Sequence, residues 1–180
     1  MKHSEIERLL PGIFQRAVHD GNPLDALLQV MEVLHAPDEE ILDNLDRYFD
    51  PYSAPDAFVP FLAYWVDLAR FLPTGTERGF GSTAPVWPPG LGRLRELIAA
   101  SADLSRWRGT ARGLVTFLEI ATGTPGFTVE EQPLGDNGLP RPFHIVIDAP
   151  AATTTHTALL RKIIEQEKPA YVSYELRFSA

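Results

Sequence analysis

The chain contains no cysteine. This absence excludes disulfide bonds, thiolate nucleophiles and cysteine-ligated metal sites, and it fits folding in a reducing cytosol. Basic residues are also in the minority, because 16 lysines and arginines stand against 24 acidic residues and leave a net charge of -8. An acidic chain is repelled by phosphate, so we predict that the protein does not bind nucleic acid.

Long apolar runs are absent as well. No stretch approaches the ~20 residues that a helix needs to span a bilayer. The first residues, Met1 to Glu5, lead into an amphipathic segment and not into the apolar core of a signal peptide. We therefore predict no membrane insertion, and a protein that is made and folded in the cytoplasm.

Signatures of catalysis and of cofactor binding are missing too. None of the five histidines lies four residues from another, so the chain has no HExxH pair. The glycines at residues 75–81 are not followed by the Lys-Ser/Thr of a phosphate-binding loop, and Gly79 to Ser82 does not match a serine nucleophile elbow. We predict no metal, no cofactor and no catalytic residue.

One catalytic alternative stays open. Asp43, Asp46 and Glu119 could supply a carboxylate pair, as in a tail-associated hydrolase that cleaves cell-wall polymer. The spacing of the acidic residues around Asp43 and Asp46 favours the wet side of a helix instead. A hydrolase would require two of these side chains to face each other across a cleft.

The first two-thirds of the chain have a helical pattern. Apolar residues recur at spacings of three and four, and prolines break the pattern into short helices. We predict one helix that begins at Pro23 and ends near His35, a second that begins at Pro37, and a third that begins near Pro60. The bulky stripe from Phe58 to Leu72 is expected to be central to the core.

After residue 123 the period changes from helical to alternating. Residues 127–131 and 143–147 are predicted as strands around a turn at 135–138, residues 153–167 as a helix, and residues 171–178 as a closing strand. A helix joins the last two strands, so we expect these strands to be parallel. The predicted fold class is α+β, with a mainly helical N-terminal two-thirds followed by a small C-terminal β-β-α-β unit.

This pattern predicts two parts. Residues 1–123 form a helical body with an irregular loop at residues 73–92, and residues 124–180 form a small α+β unit. The terminal unit could lend an edge strand or a sheet face to a neighbouring protein.

The most unusual cluster is the run Arg106-Trp107-Arg108-Gly109-Thr110-Ala111-Arg112-Gly113. Trp and Arg dominate interface hot spots, so this run could anchor a partner, or its arginines could bind an anionic ligand. The structural alternative places Trp107 in the core, Gly109 in a turn, and Thr110 at the cap of the next helix. The two interpretations are compatible.

The cluster resembles the RWRGT-x-RGL hallmark of the phage tail protein I family. Further motifs resemble the family in the same order: Leu9-Leu10-Pro11-x-Ile13-Phe14, Asp43-Asn44-Leu45-x-Arg47-Tyr48-Phe49-Asp50-Pro51, Ala54-Pro55-x-x-Phe58-Val59-Pro60-x-Leu62-Ala63-x-Trp65, Thr122-Gly123 and Lys168-Pro169-Ala170-Tyr171. The resemblance spans nearly the whole chain, and residues 74–89 depart from it.

This resemblance implies an assembly role without catalysis. Family members resemble wedge components of the baseplate in contractile phage tails and extracellular contractile injection systems, where they pair with a larger tail protein J-like subunit. It implies a hetero-oligomeric ring with hub, spike and sheath proteins, in the cytoplasm during assembly and then in the baseplate of a virion or injection particle. The expected interface or structural hallmark residues are Tyr48, Phe49, Trp65, Arg106, Trp107, Arg108, Gly109, Thr110, Arg112 and Gly113.

Overall fold

The computed structural model describes residues 3–72, 87–135 and 138–179. The chain divides into two compact units, Met1–Phe49 and Asp50–Ala180, so the boundary predicted at residue 123 falls inside the second unit. Of the predicted irregular loop, residues 73–86 lie outside the described residues, and residues 91–92 belong to a helix. Residues 136–137 of the predicted turn also lie outside the described part.

The N-terminal unit contains four helices in its described part: α1 (His3–Leu9), α2 (Gly12–Gln15), α3 (Pro23–Asp43) and α4 (Leu45–Phe49). Helix α3 begins as predicted. The Asn22 side chain accepts a hydrogen bond from the Leu24 N–H at 3.1 Å, and Pro23 occupies the first turn, where no N–H is required. Among the described residues of this unit, the buried apolar side chains are Ile6 and Leu28.

The separate helix predicted from Pro37 is wrong, because α3 runs without interruption from Pro23 to Asp43 with Pro37 inside it. A proline in a helix interior removes one backbone hydrogen bond and costs about 3 kcal/mol. That cost does not end a helix when the residues on both sides favour helical conformation, as Leu34 and Glu40 do here. The result is one long helix.

The C-terminal unit contains helices and a sheet. Its described elements are α5 (Val59–Trp65), a 3-10 turn (Ala69–Phe71), α6 (Leu91–Arg106), α7 (Ala111–Thr122), β1 (Thr128–Glu131), β2 (His144–Pro150), a 3-10 turn (Ala151–His156), α8 (Thr157–Glu167) and β3 (Ser173–Ser179). Helix α7 ends at Gly123, which adopts the left-handed conformation with φ 72° as its C-terminal cap.

The three described strands form one sheet in the order β1-β2-β3. β1 is antiparallel to β2, and β3 is parallel to β2, as predicted from the helical crossover. One face of the sheet carries Val129, Ile147 and Leu176 toward the hydrophobic core. The predicted α+β class, mainly helical first and with a small sheet at the end, is confirmed.

Trp87 lies at the centre of this core. It is 1% exposed, and its indole Nε1 donates to the Ala121 carbonyl of α7 at 3.2 Å, which satisfies its only polar group. Helices α6, α7 and α8 bury their apolar stripes in the same cluster, with Leu94, Leu97, Leu118, Leu160, Ile163 and Ile164 fully enclosed. This packing fixes the relative positions of α6, α7 and α8.

The aromatic stripe around α5 is only partly central to the core. Leu62, Leu68 and Phe71 are buried, but Phe61 and Trp65 are 44% and 61% exposed, so the prediction is wrong for these two. The reason is that α5 is short and only one of its faces meets the core. Phe61 and Trp65 lie four residues apart on the other face, with ring centroids 5.3 Å apart.

Candidate functional site

The junction between α6 and α7 contains the arginine and tryptophan cluster. Trp107 follows the last residue of α6, Gly109 has φ 77°, and α7 begins after Thr110. The Thr110 Oγ1 accepts a hydrogen bond from the Gly113 N–H at 3.0 Å and donates one to the Trp107 carbonyl at 2.7 Å. The predicted roles of Gly109 in the turn and of Thr110 as a helix cap are confirmed.

Gly113 allows the two ends of the junction to approach closely. A Cβ atom at this position would lie 2.0 Å from the Trp107 carbonyl oxygen and 3.0 Å from the Trp107 Cβ. The first distance is far below that of a real contact and its partner is a backbone atom, so any larger residue must push the backbone apart. The glycine is therefore required by packing and not by its backbone angles.

The Trp107 ring is not in the core. Trp107 is 42% exposed, and the Arg112 guanidinium lies 4.5 Å from the centroid of its ring. The core placement is therefore wrong. The physical reason is that the junction uses the Trp107 carbonyl, not the ring, to close the turn, and this directs the ring outward to stack with Arg112.

Arg108 has a different environment from its neighbours. Its guanidinium lies 3.5 Å from the Asp67 carboxylate and 3.6 Å from the Glu167 carboxylate. Arg70 forms ion pairs with the same two carboxylates. Glu167 is 8% exposed, and the two arginines balance the charge of its buried carboxylate.

These four residues form an ion network that links three segments of the unit. Asp67 and Arg70 follow α5, Arg108 lies in the junction, and Glu167 is the last residue of α8. Two positive and two negative charges balance each other, which holds the junction against α8. The sequence alone does not indicate Asp67, Arg70 and Glu167 as a set, because the contacts that join Arg70 to Glu167 and Arg108 to Asp67 span distant parts of the chain and leave no periodic signal.

The three arginines of the cluster do not converge on a shared ligand site. Arg106 is exposed and lies 3.8 Å from Asp103, Arg108 belongs to the ion network, and Arg112 stacks on Trp107. An anionic ligand would require several of these groups to point at one place. The exposed groups of the cluster are therefore Arg106 and the Trp107–Arg112 pair.

The other predicted hallmark residues lie elsewhere. Tyr48 is half-buried and Phe49 is 45% exposed, and both end α4 in the N-terminal unit. Trp65 ends α5 in the C-terminal unit and packs on Phe61.

The segment that opens the C-terminal unit is fixed by an arginine that sequence reasoning missed. Arg95 of α6 donates to the Pro51 carbonyl, to the Ala54 carbonyl at 2.8 Å and to the Asp56 carboxylate at 2.6 Å. Asp50 accepts hydrogen bonds from the Ser53 hydroxyl and from the Tyr52 N–H, and these bonds lower the pKa of its carboxyl. The segment 50–56 is therefore held by the Asp50 carboxylate at one end and by the Arg95–Asp56 ion pair at the other.

Two of the shallow depressions in the described part of the chain lie beside Gly109. One has a volume of about 70 Å³ and the other about 260 Å³, and both include Gly109 in their walls. These volumes are smaller than the roughly 300–1,000 Å³ of a small-molecule site.

The carboxylates of the hydrolase alternative do not form a described pair. Asp43 and Asp46 are exposed in the N-terminal unit, whereas the Glu119 Oε1 of α7 accepts a hydrogen bond from the Gly126 N–H at 2.9 Å. Glu119 thus anchors the loop after α7. Within residues 3–72, 87–135 and 138–179, no group of three His, Asp or Glu could hold a metal ion, and no helix is long and apolar enough to cross a membrane.

The junction, the ion network and α3 all fall within residues 23–171, which match the model of the phage tail protein family Tail_P2_I. The chain belongs to this family. A comparison with curated proteins found no match. Family membership gives this phage tail protein a structural role in a phage tail and an association with other tail proteins.

Proposed function

We propose that this phage tail protein is a structural subunit of the baseplate wedge in a contractile tail or contractile injection system. It assembles there with a larger tail protein J-like subunit and performs no catalysis. Membership in the phage tail protein family supports a structural role. The observation that carries the more specific proposal is an exposed apolar stripe along α3.

The stripe consists of Leu27, Val30, Leu34 and Ile41. Their spacings of three, four and seven residues are those of a coiled-coil seam, with Pro37 at the remaining position. They are 54%, 54%, 68% and 43% exposed, respectively. Leu28 is buried on another face of the helix, so α3 has a second apolar face that the described residues leave open to solvent.

A partner helix is the occupant that fits this stripe. Covering one such side chain stabilises a complex by roughly 1.5–3 kcal/mol, and a seam with this spacing is complementary to a seam on another helix. We assign that helix to the J-like subunit, because a larger wedge partner must hold the chain in place within a hetero-oligomeric ring.

Exposed aromatic groups provide further contacts in the proposed ring. Trp107 with Arg112, and Phe61 with Trp65, present large side chains on the C-terminal unit. Aromatic and arginine side chains supply most of the binding energy in many interfaces. We propose that these pairs, together with Phe49 of the N-terminal unit, contact neighbouring hub, spike or sheath proteins in the baseplate.

The proposal is tested by co-expression with the J-like subunit from the same gene cluster. The variant Val30→Asp with Leu34→Asp places two charges on the stripe, and Ala36→Asp places one such charge at an exposed position of α3 away from it. Loss of two apolar contacts predicts at least ~100-fold weaker binding, at tenfold per ~1.4 kcal/mol.

The measurement is the binding constant of the purified pair by calorimetry, with circular dichroism to check folding. We expect the Ala36→Asp control to bind as tightly as the unmodified chain. Equal binding by the double variant, or no binding by the unmodified chain, would show that the stripe does not hold the J-like subunit.

A further inference from the structure

The last strand, β3, forms an edge of the sheet. It pairs with β2 on one side, and no described strand pairs with its other side. The Ser173 N–H donates to the Phe143 carbonyl, on the β2 side, at 2.9 Å. Backbone groups alternate sides along a strand, so Tyr174, Leu176 and Phe178 direct their N–H and C=O groups away from the sheet.

The sequence of β3 is complementary to itself. The strand reads Ser-Tyr-Glu-Leu-Arg-Phe-Ser, which is symmetric in residue type about Leu176. At one step from Leu176 lie an acid and a base, at two steps lie two aromatic residues, and at three steps lie two serines. Two antiparallel copies with a two-fold axis through Leu176 therefore match residue by residue.

The hydrogen bonds fit the same arrangement. With the axis at Leu176, the outward groups of Tyr174, Leu176 and Phe178 face those of Phe178, Leu176 and Tyr174 in the second copy. Glu175 and Arg177 then form pairs without backbone hydrogen bonds, in which opposite side chains lie closest. Arg177 lowers the pKa of the Glu175 carboxyl through their hydrogen bond within one chain, so both groups carry charge at neutral pH.

The neighbouring registers are unfavourable. A shift by two residues keeps the outward groups paired, but it places Glu175 opposite Glu175 in one direction and Arg177 opposite Arg177 in the other. Like charges directly opposite each other destabilise a strand pair. The charges of β3 therefore select one register, in which the two copies are related by symmetry.

We propose that β3 is a self-association surface, on which a second copy of this chain adds its own β3 antiparallel and centred on Leu176. The two sheets then form one continuous sheet of six strands. This contact is distinct from the α3 stripe, so the chain can bind a second copy and a J-like subunit through different surfaces.

The test uses sedimentation equilibrium of the purified full chain. We expect the unmodified chain to form a dimer. Glu175→Arg and Arg177→Glu should each raise the dissociation constant of the dimer about tenfold or more, because either substitution creates two like-charge pairs between the two copies of β3. An equal mixture of the two variants restores association, since each cross-strand pair in the mixed dimer again joins opposite charges. The double variant Glu175→Arg with Arg177→Glu also restores it.

Glu131→Arg is the matched control, because Glu131 is an exposed residue of β1 at the other edge of the sheet. It makes the same charge change and should leave the dimer intact. Thermal melting verifies that each variant is folded. A monomeric chain at ~100 μM, where even a micromolar dimer is almost fully formed, would overturn the proposal. A dimer that ignores both single substitutions would overturn it as well.

Discussion

The junction between α6 and α7 makes a strong prediction about Gly113. In an ordinary helix, glycine is ~1 kcal/mol less favourable than alanine, so Gly113→Ala would be expected to stabilise the protein. Here the new Cβ would meet the Trp107 carbonyl oxygen at 2.0 Å and its carbonyl carbon at 2.7 Å. Because these are backbone atoms, no side-chain rotation can relieve the overlap.

The size of the effect follows from these opposing contributions. Forcing an extra methyl group into a packed site costs about 1–3 kcal/mol, and a clash with backbone belongs at the upper end. After subtraction of the ~1 kcal/mol gain in helix propensity, we expect a net loss of about 2 kcal/mol. For a chain of this size, that loss lowers the melting temperature by about 4–8 °C.

Gly92 provides the matched control. It lies in the first turn of α6, and a Cβ at this position would meet nothing within 4 Å. Gly92→Ala should therefore leave stability unchanged or raise it by up to ~1 kcal/mol. Calorimetric melting of both variants tests the argument, and a Gly113→Ala protein at least as stable as the Gly92→Ala protein would refute it.

Three further predictions concern single side chains. Trp87→Ala should lower the free energy of unfolding in urea by about 3–5 kcal/mol, because Trp87 is fully buried. Trp107→Ala should lower it by only about 1–2 kcal/mol, because the Trp107 ring is partly exposed. Equal losses in the two variants would contradict this difference. Glu167→Gln leaves two arginines without their buried countercharge and should cost about 2 kcal/mol in the same assay. An unchanged midpoint would show that the ion network does not stabilise the protein. Burial and the nearby Glu165 raise the pKa of Tyr174. The stability that Tyr174 contributes is therefore present below about pH 10 and is lost as pH rises through its folded-state pKa. Between neutral and alkaline pH, the free energy of unfolding should fall less in Tyr174→Phe than in the unmodified chain.

Local patterns predicted most of the fold. The start of α3 at Asn22 and Pro23, the end of α7 at Gly123 and the parallel closing strand all follow from short-range rules. Capping, turn chemistry and the handedness of a crossover depend on residues close together in the chain. For that reason they are readable without a structure.

The parts that sequence reasoning missed depend on distant contacts. Pro37 was expected to start a helix, but favourable residues on both sides keep α3 continuous. The outward position of Trp65 depends on which face of α5 meets the core, and the partners of Arg108 come from segments far away in sequence. Neither propensity nor spacing contains that information.

We propose that this chain is a required structural part of a tail particle. The most direct measurement is quantitative mass spectrometry of purified particles, from cells with the unmodified gene and from cells in which it is deleted. We expect the chain in a fixed ratio to the J-like subunit, and no complete particles after deletion. Complete particles that lack the chain would contradict it.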